Sequence, residues 1–245
     1  MADLVTREDD DGLCWLTLNR PDKLNSLTVA VFRELRAHIS DLRSDDNIGC
    51  VILRGAGKCF SAGHDLGDIA EGEAVPSRGW HSETLRLMEK LPKPVISAVH
   101  GHCYTGALEV ALAADFILAS DTAKFADTHA KWALTPIWGM SQRLPRRVGA
   151  ATAKRLMFTA ETVRADDALR MGLCEAVFPE ASFFDDVTAF ARQILENSAF
   201  SHAANKRLLE ATDMDALDAG LQWEIMENEG VGPDMQARIG AFMKK

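Results

Sequence analysis

The 245-residue sequence has no CxxC pair, no internal repeat, no low-complexity segment and no apolar run of membrane-spanning length. Its five cysteines, Cys14, Cys50, Cys59, Cys103 and Cys174, stand singly. An odd number without a paired motif argues for a reducing compartment and against a disulfide framework. Positive charge is in deficit: 27 Lys and Arg face 36 Asp and Glu, a net charge of −9. That excludes non-specific nucleic-acid binding, so any steering of an anionic ligand has to be local. The one basic cluster is Arg143, Arg146 and Arg147. The start, Met1-Ala2-Asp3-Leu4, has neither the apolar core of a signal peptide nor an arginine-rich transit pattern. The chain is therefore expected in the cytoplasm, with no membrane partner. A GxGxxG dinucleotide motif is missing too, because Gly55-Ala56-Gly57 lacks the third glycine. His100-x-His102 has no third ligand at useful spacing, so no metal is expected.

What is present is ordinary for a globular protein: 47% hydrophobic and 26% charged residues, enough for one sizeable core with or without an appendage. The central stretch runs from His100 to Asp115. It follows the apolar run Pro94–Val99, which reads as a buried strand. After Gly106 nearly every residue is a small or aliphatic helix former, so the pattern is strand, glycine-bearing loop, buried helix. The first N–H groups of such a helix have no partner inside it and suit an anion or a developing oxyanion. Glu109 then sits one turn into an apolar helix, where a carboxylate is costly unless paired, hydrated or used. It is either functional or tied to a neighbouring loop. A second stretch, Lys58 to Leu66, has Gly63 just before His64, and such a loop can aim the His64 N–H at a ligand. A plain strand-to-helix connection accounts for it equally well.

Along the chain, Leu13–Leu18 reads as a strand closed by the turn Asn19-Arg20-Pro21-Asp22. Thr28 caps a helix to Leu42, with Val31, Phe32, Leu35, Ile39 and Leu42 on one face. Cys50–Arg54 is a buried strand, residues 67–77 a mobile lid or surface loop, and Trp80–Leu91 an amphipathic helix stopped by Pro92. Strands follow at Asp115–Ala119, Lys124–Ala126 and Cys174–Phe178, with helices over Met140–Val148, Ala150–Phe158 and Arg164–Met171. From Phe183 onward the pattern is helical. Strands alternating with helices predict an α/β fold with crossover connections.

Six segments, in this order, resemble the crotonase, or enoyl-CoA hydratase/isomerase, superfamily. They are Leu18-Asn19-Arg20-Pro21 with Asn25, Phe60 to Leu66, Gly101 to Asp115, Gln142-Arg143-Leu144-Pro145 with Val148-Gly149, Ala168 to Gly172, and Ala241-Phe242. The resemblance covers nearly the whole chain. It implies repeated ββα units in a core over residues 1–190 and a helical oligomerisation region over 191–245, in a homotrimer or homohexamer. It implies an acyl-CoA thioester as substrate and partner, with no separate cofactor, since coenzyme A arrives as part of the substrate. The oxyanion hole then falls on the N–H groups of His64 and Gly106, where two fixed donors stabilise an enolate. CoA contacts fall on Lys23 and Leu24, on Ala62, Asp65 and Leu66, and on Phe242 and Lys245 at the end of the chain.

One departure bears on the reaction. Hydratases of the family are expected to use two glutamates; one position is Glu109, and the other, counted between Phe125 and Pro136, is His129. Histidine can exchange protons near neutrality, with an ordinary pKa of about 6.5, so His129 either replaces the glutamate, binds the acyl group or is structural. Asp127, two residues earlier, faces the same way if the segment is extended, and is a weaker candidate that fits a structural role better. Trp138 either narrows the acyl end or packs in the core. The leading reading is water addition to a 2-enoyl-CoA, with Glu109 as general base. The alternatives are acyl-CoA hydrolysis, decarboxylation or isomerisation on the same scaffold, and non-catalytic acyl-CoA binding.

Overall fold

The computed structural model of the chain describes residues 3–227 and 235–244. The edge strand β1 (Val5–Asp10) pairs antiparallel with β2 (Leu13–Leu18). Helix α1 (Val29–Leu42) returns the chain to β3 (Cys50–Gly55), parallel to β2. A short helix α2 (Leu66–Glu71) and a longer α3 (Trp80–Glu89) precede β4 (Val95–Val99). Then come β5 (His102–Tyr104), α4 (Gly106–Leu112), β6 (Phe116–Ser120) and β7 (Lys124–Ala126). After them lie α5 (Met140–Val148), α6 (Ala150–Thr159), β8 (Val163–Arg164), α7 (Ala165–Arg170) and β9 (Ala176–Phe178). The chain ends in α8 (Phe183–Leu195), α9 (Ala199–Glu227) and α10 (Met235–Met243).

Two sheets result, one ordered β1-β2-β3-β4-β6-β9 and a smaller one ordered β5-β7-β8. Beyond β1 the large sheet is parallel. Parallel strands are covered on both faces, so they read as continuous apolar runs. The period-two alternation still sorts their side chains. Leu13, Trp15, Cys50, Ile52, Ile96, Ala98 and Leu118 point to one face, against Phe183, Val187 and Ala191 of α8. Cys14, Leu16, Val51, Leu53, Val95 and Val99 point to the other, with α1, α3 and α4. The expected α/β architecture is therefore present, and α8 carries residues on both sides of position 190.

Helix α1 forms for the reasons its sequence suggests. The Thr28 hydroxyl accepts the Val31 N–H at 3.2 Å, and Val31, Phe32, Leu35, Ile39 and Leu42 are all buried. Each such side chain contributes about 2 kcal/mol on burial, and the cap about 1 kcal/mol. Strand β5 lies where the sequence reads as a loop, β8 takes Arg164 from the expected start of a helix, and β1 has no strand signal of its own. Only Val5 of β1 is buried, so an edge strand of mostly polar residues carries no apolar signal; pairing with β2 makes it a strand. Residues 67–77 also differ: they hold most of α2, which has no buried residue and so no periodicity to detect. Its start is fixed by Asp65, whose carboxylate accepts the Gly67 N–H at 3.1 Å.

Asn25 closes the loop that bears two CoA candidates. It is 1% exposed and left-handed at φ +54°. Its amide donates to the carbonyls of Ala56 and Cys59, both at 2.8 Å, and accepts the Arg20 N–H at 2.9 Å. Removing the amide strands buried polar groups. Asn25→Ala is expected to lower the unfolding free energy by about 3 kcal/mol, read from urea denaturation of the two proteins.

Candidate active site

Two loops meet at the N-terminus of α4. Leu27 N–H bonds to Gly63 O at 2.8 Å and Asp65 N–H to Leu27 O at 2.9 Å, a one-residue parallel bridge centred on His64. In that pattern the central residue's own N–H points away from the partner strand. Gly63, at φ +99°, is the residue that allows the bend. A Cβ placed on it would lie 2.5 Å from Tyr104 O and 3.5 Å from Gly106 N. The backbone before His64 and the first N–H of α4 are thus adjacent, with no room for a side chain between them. Thr105 aims that N–H. Its backbone is strained at φ +52°, ψ −111°, a cost of order 1–3 kcal/mol. It is held by its N–H on Ala126 O at 2.8 Å, by the Thr128 N–H on its hydroxyl at 3.1 Å, and by a hydroxyl contact with Thr128.

Glu109 lies one turn further into α4 and is 1% exposed. Its Oε1 accepts the N–H groups of Trp138 at 2.9 Å and Met140 at 3.0 Å. The turn that supplies them is itself anchored. Arg143 donates to Trp138 O at 2.7 Å and grips Glu89 through two nitrogens, one at 2.9 Å. The other oxygen, Oε2, faces His129 Nε2 at 3.8 Å. On the far side of that ring, Nδ1 meets Asp127 Oδ1 at 2.6 Å, and the His129 N–H reaches the same oxygen at 3.1 Å. Asp127 is 1% exposed, and its contact with Nδ1 turns Nε2 toward Glu109. His129 opens a 3-10 turn, His129–Trp132, so the Asp127 side chain comes alongside it through a local turn rather than as a second residue of an extended strand.

The indole of Trp138 walls this centre. A Cβ on Gly106 would fall 2.5 Å from its Cζ3. The ring centre is 4.7 Å from both His64 and His81 and 4.8 Å from Phe32. Behind it lies Glu73, which accepts the Val29 N–H and the His64 Nε2, both at 2.9 Å. Glu73 and His81 were not among the residues the sequence singled out. Glu73 falls in a stretch without periodicity, and His81 reads as one residue of an amphipathic helix.

The CoA candidates form one surface strip. Lys23 and Leu24 are exposed, Ala62 N–H bonds to Leu24 O at 2.9 Å, and Leu66 begins α2. Asp65 accepts from Ser26 at 2.8 Å and Arg20 at 3.2 Å, so its carboxylate is committed to holding the strip together. Phe242 of α10 is 55% exposed and sits edge-on to Trp132, 5.1 Å between centres. Lys245 lies outside the described residues. His100 bonds to Gly57 O and His102 to the Tyr104 hydroxyl. Among the described residues no helix is long and apolar enough to cross a membrane.

The family profile for enoyl-CoA hydratase/isomerase matches residues 8–242. A short-chain-enoyl-CoA hydratase of Clostridium acetobutylicum is 33% identical over 250 aligned positions, covering 98% of this chain and 95% of that protein. A crotonyl-CoA hydratase of Syntrophomonas wolfei is 32% identical, with 98% and 95% covered. The crystal structure of an enoyl-CoA hydratase from Mycobacterium avium subsp. paratuberculosis superposes with a TM-score of 0.88 at 29% identity, over 98% of this chain and 96% of that one.

Burial drives the His81 imidazole down from 6.5 to about 4, against the opposing pull of Glu73. Above pH 6.5 His81 is neutral folded or unfolded. Between 6.5 and 4 the unfolded chain binds a proton that the folded chain refuses, so stability falls as pH falls, and below 4 the loss is complete. The full difference corresponds to about 3 kcal/mol. Urea midpoints from pH 7 to pH 4 are expected to fall less steeply in His81→Phe, where that proton is gone.

Proposed function

The chain belongs to the enoyl-CoA hydratase/isomerase family, and we propose that it adds water across the double bond of a 2-enoyl-CoA. It is a hydratase-like acyl-CoA enzyme; the assignment of roles within it is our reading. The thioester oxygen lies between the N–H groups of His64 and Gly106. Two fixed donors there stabilise the enolate that forms when C3 is attacked, and loss of one costs on the order of 3 kcal/mol in the barrier. The single observation that carries water addition is the 3.8 Å gap between Glu109 Oε2 and His129 Nε2. A water about 2.8 Å from each atom donates to both. Glu109 takes one of its protons as the oxygen bonds to C3, and the Glu109–His129 pair returns a proton to C2. Asp127 keeps the His129 ring in the tautomer this needs. A histidine with a carboxylate behind it thereby does the work of the second glutamate.

The rest of the substrate follows from the surface strip. Lys23 meets the CoA phosphates, and Leu24, Ala62 and Leu66 offer backbone and apolar contact for the adenine, with Phe242 near the 129–132 turn. Coenzyme A comes with the substrate, and no further cofactor is assigned. The cytoplasmic location and the homotrimer or homohexamer belong to the same proposal. Phe158, Phe200, Leu208 and Met226 are each at least 63% exposed, and such apolar side chains support an interface between copies.

Crotonyl-CoA hydration, followed by loss of the conjugated thioester absorbance, tests the roles. Glu109→Gln keeps an oxygen for the Trp138 and Met140 N–H groups but cannot accept a proton; kcat is expected to fall about 10²–10⁴-fold. His129→Ala is expected to fall comparably, and Asp127→Asn by less. Gly106→Val drives a side chain into Trp138 and is expected to lower kcat about 10²-fold or more. Full activity in His129→Ala would remove it from the reaction.

A further inference from the structure

Positive charge is scarce in this chain, at a net −9, yet it gathers along one cleft. A cavity of about 520 Å³ lies between the core and α9, lined by Arg43, Arg86, Lys90, Lys206 and Arg207 over an apolar floor that includes Leu91 and Ala113. Arg43 and Pro92 also line a smaller hollow of about 180 Å³ that holds Lys93, so the two adjoin. The acids of the cleft are mostly committed. Asp115 Oδ2 accepts Lys206 Nζ at 2.6 Å and the Val95 N–H at 2.7 Å. Glu89 gives both oxygens to Arg143, and Asp218 pairs with Arg86. The exposed Asp46 lines the smaller hollow. The donors have more to give. Lys93 is 7% exposed, and its Nζ meets one acceptor among the described residues, Asp45 O at 2.8 Å. An ammonium has three N–H donors, so two are left. Burial pushes the Lys93 amine below its ordinary pKa, against the opposing pull of Asp45 and Asp46. Lys206 also donates to Lys93 O at 3.1 Å, which pins α9 to the core beside the cavity. Arg43 and Arg207 are exposed, and their guanidinium groups meet no acceptor among the described residues.

We infer that this cleft is a second ligand site, which takes a small polyphosphate chain, inorganic or carried by a nucleotide. Several cations spread along one cleft match a ligand with several charges in a row; a single carboxylate reaches too few of them. Guanidinium groups grip phosphate through two nitrogens at once, and a lysine supplies a point charge. Lys93 gains most, because a buried ammonium is costly until its donors find acceptors, and phosphate oxygens supply them. Arg43 borders both hollows and serves a phosphate in either, while Lys206 and Arg207 serve the larger one. In a protein of negative net charge such a ligand is drawn only by a local field of this kind. The cleft shares no lining residue with the CoA strip or with the Glu109–His129 pair, and its assignment does not depend on the acyl-CoA reading.

Equilibrium dialysis of the full chain against sodium tripolyphosphate tests this, with butyryl-CoA in excess to fill the CoA strip. Saturable binding is expected, weakening as salt rises. Lys93→Met, Arg43→Gln and Arg207→Gln are each expected to weaken it about tenfold, and Lys23→Ala to leave it unchanged. The two arginines are exposed, so their variants carry the test if Lys93→Met does not fold. ATP and adenosine separate the two sources. Equal affinity for ATP and tripolyphosphate, with adenosine unbound, means that the phosphate chain alone is read. ATP about tenfold tighter or more means that a nucleoside rests on the apolar floor as well. Failure of both polyphosphates to bind overturns the inference. So does binding that Lys23→Ala or added butyryl-CoA abolishes while the three cleft variants leave it intact, since that places the ligand on the CoA strip.

Discussion

A carboxylate cannot sit unpaired among the small aliphatic side chains of α4, and the way Glu109 is paired dictates most of what surrounds it. Two backbone N–H groups, from Trp138 and Met140, converge on one of its oxygens. To bring them there, the chain crosses the start of α4, which lays the Trp138 indole over Gly106. Arg143 holds that turn from behind by gripping both Trp138 O and Glu89. Because one oxygen is fully engaged, the other is aimed, and it is aimed at His129. The first N–H of α4, the Trp138 wall and the facing of Glu109 and His129 are therefore set by one buried charge and the backbone that satisfies it.

Two buried imidazoles near this charge have opposite settings. His129 has a carboxylate behind it at 2.6 Å, which holds the ring with Nε2 toward Glu109. His81 has aromatic rings on its faces and a carboxylate too distant to bond, so burial wins and the ring stays neutral. Glu73 serves both sides of this division. Burial works to raise its carboxyl, and the hydrogen bonds from His64 and the Val29 N–H more than offset that, so the carboxyl sits below its ordinary value.

Much of the frame was legible in the order of residues. The Thr28 cap and the α1 stripe, the continuous apolar strands β2, β3 and β4, and the glycine that opens α4 are local signals, and each forms as its pattern suggests. Glu109 stood out because a charge in an apolar helix is conspicuous. What stayed hidden depends on contacts distant in sequence. Strand β1 exists because β2 pairs with it, not because of its own composition. Asp127 looked like a residue that shares a strand face with His129; its link to the imidazole comes from the turn that follows. Glu73 meets Val29 across 44 positions, and no spacing rule reaches that far. The histidine where a second glutamate was expected could be noticed from sequence, yet its facing Glu109 required the structure.

The central claim is that Glu109 and His129 deliver a water to C3 while C2 gains a proton. Turnover of crotonyl-CoA in a mixture of heavy-oxygen water and deuterium oxide, with mass analysis of the thioester product, tests it most directly. The account predicts a 3-hydroxyacyl-CoA with one heavy oxygen at C3 and one deuterium at C2, both lost when Glu109 is replaced by Gln. Heavy oxygen in a free carboxylic acid, the mark of thioester hydrolysis, would contradict it. So would deuterium in the acyl chain without any heavy oxygen, the mark of a double-bond shift.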